Sequence, residues 1–430
     1  MKKLLTLLLA LCMVLSLAAC GGSSSAPASS GTSGAPASSS TSSTASSTTG
    51  TQTKSLKVWV PEALVSFTEE QISKFISEHP EYADYKVSVE PVGEGDAASN
   101  MLMDVSAGAD IFHFAQDQLA RLVSANALVS VSDENAEVVK AENVAASVAA
   151  ATLGDTLYAY PLTADNGYFL YYDKSVVTDP GSLEAILADC EAAGKSFYME
   201  INSGWYQPAF FFGAGCELTY DSDDSGAFTK CNINYASDAG VAALKAMIEL
   251  HKSPAFHNGS SISNATNVAA IVDGTWDSGA AKELFGDNYA CAKLPTVKMG
   301  GKDTQLGGFT GFKLLGVKPQ TDADKLAFCD ALALYLAGGE VQAARYAAVN
   351  WGPSNSVAQA DPAVQADVAL SALRDQIAFD IPQGGYPGDY WSLATALGDS
   401  VIAGEYDKSS DAELLAVLQQ FQDTCISYAK

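Results

Sequence analysis

The sequence is poor in basic residues and in histidine. It has 24 Lys and Arg against 50 Asp and Glu, and only four His among 430 residues. A chain this acidic repels nucleic-acid phosphates and anionic lipid headgroups, so we expect neither as a partner. The sequence also lacks an HExxH pair, a GxSxG elbow, a P-loop and a complete GxGxxG after a strand. We therefore predict a protein that is not an enzyme and has no catalytic residue and no cofactor. Gly93-Glu94-Gly95 lacks the third glycine and is interpreted as a turn.

The cysteines show no pattern of a metal site. The eight Cys form no CxxC pair and have no nearby His, so we predict no bound metal. Cys216 and Cys231 flank a polar, turn-rich stretch, and exported proteins can form disulfides. A bridge across this hairpin is one interpretation, and two buried free thiols are the other. The remaining thiols beyond the N-terminus are expected to be small apolar core residues.

Only the N-terminus carries a long apolar run, which spans residues 4–19 after a short basic start. Such a run is too short and wrongly flanked for a stable membrane span and is typical of an export signal. The small residues before Cys20 resemble the lipobox of bacterial lipoproteins, in which the Cys is diacylated and becomes the mature N-terminus. The alternative is an ordinary signal peptide cut near Ala19, with Cys20 left as a free thiol. We predict lipidation, an anchor on the outer face of the bacterial cytoplasmic membrane and an extracytoplasmic protein.

A stretch of uniform composition follows the predicted anchor. Residues 21–50 are all Gly, Ser, Ala, Thr or Pro. Such a segment has no apolar surface to bury, so we predict a flexible tether with a reach of roughly 30 Å. We assign residues 1–19 to the signal peptide and 20–54 to the lipidated Cys and linker. The rest of the chain is long enough for two domains of ordinary size.

Predicted strands and helices alternate along the remaining chain. The first strands are expected at 56–60, 86–90 and 110–114, and helices at 66–79, 96–107 and 118–125. Ser66 and Glu69 fit a capping box at the start of the first helix. A second alternating region runs from Asp165, and residues 361–430 are expected to be mainly helical. The alternation predicts an α/β fold with parallel sheets and helices on both faces. Ligands of such sheets bind beyond the carboxyl ends of the strands.

Several short motifs, in a fixed order, resemble the extracellular solute-binding proteins of ABC importers, of the maltose-binding type. They are SAGADIF at 106–112 with ALV at 127–129, LYAYPL at 157–162 with LYYDK at 170–174, AIVDGTW at 270–276, LP at 294–295 with GGF at 307–309, DP at 361–362, and IPQ at 381–383 with YW at 390–391. The sequence departs from the family pattern in a longer loop at 384–390 and in Ala109, where Pro is usual.

The resemblance implies a two-lobe periplasmic-binding-protein fold of type II, whose lobes are joined by hinge strands around a ligand cleft. Lobe one would comprise residues 55–162 and 309–359, and lobe two residues 163–308 and 360–430. It further implies a monomer that captures a carbohydrate, such as a maltodextrin, by cleft closure and delivers it to the permease subunits of an importer.

The resemblance also implies which residues hold the sugar. Aromatic rings would stack on its apolar faces, and carboxylates and amides would bond its hydroxyls. The aromatic candidates are Trp205, Tyr206, Trp276, Tyr390 and Trp391, with Trp276 and Trp391 foremost. The polar candidates follow predicted strands or lie at the crossover between the lobes, where ligands of such sheets are expected: Glu62, Gln116, Asp117, Asp165 and Asn166. Trp59 and Trp351 are interpreted as hinge or core residues.

Three other functions stay open at this level. Glu62 with Asp117 or Asp165 could form a glycosidase pair. The acidic chain could instead supply carboxylates and aromatic walls to a polyamine, or bind a peptide. A surface adhesin would hold a polymeric glycan without lobe closure.

Overall fold

The structure is a computed structural model that describes residues 54–429. The predictions for the signal peptide, Cys20 and the linker lie outside these residues. Between Lys54 and Ala429, no helix is long and apolar enough to cross a membrane.

The strands of the described residues are mostly short. In chain order they are β1 (Lys54–Val60), β2 (Tyr85–Pro91), β3 (Ile111–Ala115), β4 (Thr152–Leu153), β5 (Thr156–Leu157), β6 (Ala159–Thr163), β7 (Tyr168–Asp173), β8 (Ser196–Tyr198), β9 (Leu218–Ser222), β10 (Phe228–Ile233), β11 (Phe256–His257), β12 (Val268–Gly274), β13 (Tyr289–Ala292), β14 (Thr296–Met299), β15 (Lys302–Gln305), β16 (Gly308–Thr310), β17 (Lys313–Val317) and β18 (Asp380–Pro382).

The helices alternate with the strands in the first two thirds of the chain and dominate the last third. They are α1 (Val65–Glu78), α2 (Glu94–Met103), α3 (Leu119–Ser124), α4 (Asp133–Glu142), α5 (Ala145–Ala150), α6 (Leu183–Ala193), α7 (Pro208–Gly213), α8 (Asp238–His251), α9 (Ser278–Phe285), α10 (Ala323–Ala337), α11 (Gly339–Val349), α12 (Ser356–Gln359), α13 (Pro362–Gln365), α14 (Val368–Ile377), α15 (Gly388–Ile402) and α16 (Asp411–Ser427).

Two five-stranded sheets organise these elements. The first has the order β2-β1-β3-β17-β6 and the second the order β11-β8-β12-β7-β13. β1 runs parallel to β2 and β3, as predicted, because α1 and α2 connect these strands by crossovers. β17 is antiparallel to both of its neighbours, so the expectation of a wholly parallel sheet is wrong. No helical crossover fixes the direction of β17, because the chain enters it directly from β16, which pairs with β18 outside both sheets.

Each sheet has its own hydrophobic core. The first core draws on residues 56–162 and 314–351, and the second on residues 168–309 and 386–425. We call the body around the first sheet lobe one and the body around the second sheet lobe two. The exact residues at which one lobe gives way to the other stay a prediction.

The second sheet is buried on both faces. Along β7, Tyr168 and Leu170 belong to the main core of lobe two, while Phe169 and Tyr171 belong to a smaller cluster on the opposite face. This alternation follows from the two-residue period of a strand. Burial of each such side chain contributes about 1.5–3 kcal/mol.

One local prediction is wrong, and one of two open alternatives is decided. The capping box at Ser66 does not form, because a 3₁₀ turn over Glu62–Leu64 leads directly into α1, which begins at Val65 without a side-chain cap. The bridge between Cys216 and Cys231 is also absent, and both are free thiols. Cys231 pairs across the hairpin with Tyr220, four positions beyond Cys216. The two cysteines therefore lie about 13 Å apart along the strands, too far for a disulfide.

Candidate functional site

A cavity of about 420 Å³ lies between the two lobes, within the size range of small-molecule sites. Lobe one contributes the start of α2, the end of β3, the turn after it and the first residue of β17. Lobe two contributes three tryptophans and two amides. The lining residues are Gly93, Glu94, Gly95, Ala115, Asp117, Gln118, Asn166, Trp205, Trp276, Lys313, Gln383 and Trp391.

Three of the predicted aromatic residues line this cavity and are half-buried: Trp205, Trp276 and Trp391. Trp205 stacks on Phe309, with ring centroids 5.0 Å apart and planes at 18°. A Cβ at Gly204 would lie 3.0 Å from the Trp391 ring, so the missing side chain leaves room for that indole. Core contacts thus hold one side of each of these two rings and leave the remainder at the cavity.

Tyr206 and Tyr390 do not reach the cavity. Both are buried in the core of lobe two, at 5% and 1% exposure. The Tyr206 ring lies 4.9 Å from that of Tyr168, and the Tyr390 hydroxyl donates to the carbonyl of Gly204 at 3.0 Å. Each tyrosine directly follows or precedes a cavity tryptophan, and adjacent residues on a turn or helix point in different directions. The tyrosines therefore pack in the core next to the tryptophans and do not line the cavity.

Two of the predicted polar residues line the cavity, Asp117 and Asn166. The Asn166 amide donates to Oε1 of Gln383 at 3.2 Å. Asp117 is 3% exposed, and burial raises the pKa of its carboxyl to about 7, although its own backbone amide and Arg121 act in the opposite direction. Near neutral pH this group can therefore accept or donate a hydrogen bond.

The other three polar candidates have different positions. Glu62 is exposed in the turn before α1 and does not line the cavity. Gln116 donates to the carbonyl of Gln383 and thereby joins lobe one to lobe two. Asp165 is buried and accepts hydrogen bonds from the Thr275 hydroxyl and the Gly352 amide, both at 2.6 Å. The structure therefore does not bring the suggested glycosidase carboxylates together in the cavity.

Sequence reasoning missed four lining residues with polar side chains: Glu94, Gln118, Lys313 and Gln383. Glu94 lies between Gly93 and Gly95, a segment for which the sequence predicts a turn. In the structure this segment follows β2, and Glu94 is the first residue of α2. The rule that ligands bind beyond strand carboxyl ends, applied to β2, would have found it. For Lys313, the signal in the sequence was a single lysine at the start of an otherwise apolar strand.

Gln118 holds the first turn of α2 in place. Its Nε2 donates to the carbonyls of Glu94 and Gly95, at 2.7 and 2.9 Å, and its Oε1 accepts from the Ala98 amide at 2.9 Å. These three side-chain hydrogen bonds are all to the backbone around Glu94. Gln118 thus fixes the position of Glu94 at the cavity wall.

Lys313 and Glu94 give the cavity wall two buried polar groups of opposite charge. The Lys313 Nζ lies 3.6 Å from the ring centroid of buried Trp351 and 5.0 Å from that of Trp276. Within the described residues, neither this Nζ nor Oε1 of Glu94 has a hydrogen-bond partner. Burial raises the pKa of the Glu94 carboxyl, and the Lys313 charge opposes this shift.

His113 lies beneath these groups, with its Nδ1 4.0 Å from Oε1 of Glu94. Burial, Arg345 and Lys313 hold the pKa of this imidazole well below its usual range. His113 is therefore neutral at physiological pH, and the charge near the cavity is carried by other side chains.

The two lobes touch across the cavity mouth. The Tyr386 amide donates to the carbonyl of Asp117 at 3.3 Å. The turn between β9 and β10 reaches lobe one at Gly226, where an added Cβ would lie 2.0 Å from the carbonyl oxygen of Ala120. The lobes are therefore in contact at two neighbouring points of lobe one, Asp117 and Ala120.

No metal site accompanies the cavity. Across residues 54–429, no cluster of three or more His, Cys, Asp or Glu has an arrangement that could hold a metal ion. The cavity offers hydrogen bonds and aromatic faces to a ligand.

Comparison with known proteins places the chain among solute receptors. Residues 70–372 match a family described as bacterial extracellular solute-binding protein. The galactooligosaccharide-binding protein of Bacillus subtilis (strain 168) is 23% identical over 427 residues, which cover 94% of each chain. A solved structure of a protein with acarbose is 26% identical, has a TM-score of 0.75 and covers 87% of this chain and 99% of its own. The unliganded maltodextrin-binding protein from L. casei BL23 has a TM-score of 0.70 at 23% identity, covering 86% and 98%. These likenesses confirm the predicted two-lobe fold.

Gly274 determines where the Trp276 ring lies. A Cβ at this glycine would come within 2.1–2.4 Å of three atoms of the indole. We expect Gly274→Ala to displace the ring and to weaken ligand binding at least tenfold in calorimetry, with a smaller effect on thermal unfolding. Gly279→Ala, at an open position in the following helix, is the matched control. Equal affinities for the two variants would contradict this role of Gly274.

Proposed function

The chain belongs to the bacterial extracellular solute-binding proteins, and we propose that it captures an oligosaccharide and delivers it to the permease subunits of an ABC importer. The observation that carries this proposal is the composition of the cavity wall. Three tryptophans line the same cavity as a lysine and a glutamate, and the lysine Nζ and the glutamate Oε1 lack hydrogen-bond partners among the described residues.

A sugar suits both the aromatic rings and the polar groups of this wall. Its C–H faces can stack on the rings of Trp205, Trp276 and Trp391. Each hydroxyl can accept from the Lys313 ammonium or donate to the Glu94 carboxylate, because hydroxyls do both. Buried polar groups are costly when unpaired, so a polyhydroxyl ligand that pairs them gains affinity.

The related proteins support the same ligand class. The curated relative is named for galacto-oligosaccharides, and solved structures of similar fold are named for maltodextrin or contain acarbose. These ligands share repeated hydroxyl-bearing units, which a wall with several aromatic faces suits. A thermal-shift screen over galacto- and malto-oligosaccharides, with peptides and spermidine as comparison, identifies the ligand because binding to the folded state raises the melting temperature.

Trp391 provides a test of the stacking surface. We expect Trp391→Ala to weaken binding of the oligosaccharide from this screen at least tenfold, because the variant removes an aromatic face. Isothermal titration calorimetry measures the change. Phe379→Ala, which removes an aromatic side chain that is 43% exposed and outside the cavity, is the control. If both variants bind like the wild type, Trp391 does not hold the ligand.

Closure of the lobes is the second part of the proposed mechanism. Gly226 has a φ of +81° and lies against Ala120 of lobe one, so a side chain there would keep the lobes apart. We expect Gly226→Ala to weaken binding at least several-fold and to abolish the ligand-induced decrease in radius of gyration in X-ray scattering.

The control for this variant is Gly215→Ala. Gly215 has a similar φ of +85°, but an added Cβ there meets nothing within 4 Å. It therefore introduces the same backbone strain without a contact between the lobes. Closure of both variants to the same extent as the wild type would show that the Gly226 contact is dispensable.

Attachment to the membrane is the third part of the proposal. The apolar run before Cys20 and the composition of the tether support a diacylated Cys that keeps the lobes near a permease. We expect Cys20→Ser to release the protein from the cell surface into the medium while purified protein retains its ligand affinity. Fractionation with detergent partitioning measures this, and Cys12→Ser, within the predicted signal, is the control. Retention of both variants at the membrane would refute the lipid anchor.

A further inference from the structure

We propose that Lys313 is a specificity-determining residue that restricts the cavity to uncharged sugars and excludes amino sugars and polyamines. This inference rests on the proposed function and names the ligand class of the same site. It starts from the place of this residue in the fold. Lys313 begins β17, pairs with Ala115 and Thr163, and is 3% exposed. The rest of β17 is apolar and buried, which leaves this one ammonium at the cavity wall.

The surroundings of Lys313 place its Nζ against aromatic rings and without a hydrogen-bond partner among the described residues. The ammonium lies over the face of Trp351 and near that of Trp276, and aromatic faces attract cations. Among residues 54–429 the Lys313 Nζ has no hydrogen-bond partner, although Glu94 lies close enough for the two charges to interact. A ligand in the cavity therefore lies close to a buried ammonium that has no hydrogen-bond partner among the described residues.

The combination of this ammonium with Glu94 and Asp117 distinguishes three ligand classes. An amine on the ligand could pair with the two carboxylates but would be repelled by Lys313. A carboxylate on the ligand could pair with Lys313 but would be repelled by Glu94. A hydroxyl pairs with either group, because it both donates and accepts. Selectivity for neutral sugars follows from this repulsion, since specificity often depends on the groups that disfavour the wrong ligand.

The experiment compares three ligands of one scaffold by calorimetry. They are maltotriose or a galacto-oligosaccharide, whichever the wild type binds, its derivative with one amine in place of a hydroxyl, and its uronate. Spermidine is the simple cationic probe. The variants are Lys313→Met, which keeps the length of the side chain without the charge, and Lys313→Arg, which keeps the charge. Lys86→Met, at an exposed position on β2, is the control.

We expect the wild type, Lys313→Arg and Lys86→Met to bind the neutral sugar at least tenfold more tightly than the amino derivative, and not to bind spermidine. In Lys313→Met the ratio of the affinity for the neutral sugar to the affinity for the amino derivative should fall at least tenfold. The melting temperature of Lys313→Met should be unchanged or higher, because the variant removes a buried, unpaired polar group. An unchanged preference in a folded Lys313→Met would overturn the inference and leave the proposed function intact.

The spermidine measurements distinguish failure of the proposed function from failure of the inference about Lys313. If the wild type binds no oligosaccharide, the proposed function is wrong. Gain of spermidine binding by Lys313→Met alone would still support exclusion of cations by Lys313, and no gain would overturn it.

Discussion

The carboxylate of Asp165 is the interaction on which the arrangement of the cavity depends. One of its oxygens accepts hydrogen bonds from the Gly352 amide, 187 residues away, and from the Thr275 hydroxyl, 110 residues away. Asp165 lies where the chain passes from β6 of lobe one to β7 of lobe two. Gly352 lies in the segment between α11 and α12, and Thr275 directly precedes Trp276. A single buried carboxylate thus joins three segments beside the cavity, and charge-assisted hydrogen bonds are among the stronger ones in proteins.

A second polar cluster orders the segment on the other side of Gly352. Oε1 of Gln342 accepts from the amides of Ser354 and Asn355, at 2.7 and 2.9 Å, while its Nε2 donates to the carbonyl of Pro161 at 3.2 Å. Irregular segments between two lobes lack the ladders that pair backbone groups within a sheet. Side chains must supply the partners instead, because an unpaired buried amide or carbonyl is costly. The buried polar residues beneath the cavity therefore have a structural task that is separate from ligand binding.

This separation explains how far the site could be predicted from the sequence. Trp276 and Trp391 were predictable, because they fall in motifs that resemble a known family. The order of strands and helices in lobe one was predictable as well, because alternating patterns and crossovers are local properties of the chain. The role of Asp165 was not, because its donors come from segments far away in sequence. Tyr206 was mistaken for a cavity residue because the sequence places it next to Trp205 and does not reveal which of the two side chains points into the core. The antiparallel direction of β17 was equally hidden, since it depends on the path of the chain through lobe two.

The buried lysine also changes what the acidity of the chain implies about the charge of its ligand. The formal net charge of −26 would favour a cationic ligand if the whole protein acted as one field. Salt screens surface charges over roughly 8 Å at physiological ionic strength, whereas groups around a buried cavity are screened much less. A ligand inside the cavity therefore responds mainly to Glu94, Asp117 and Lys313. Under the proposed function, the few groups at the cavity wall, more than the surface charge, decide which solute the protein retains.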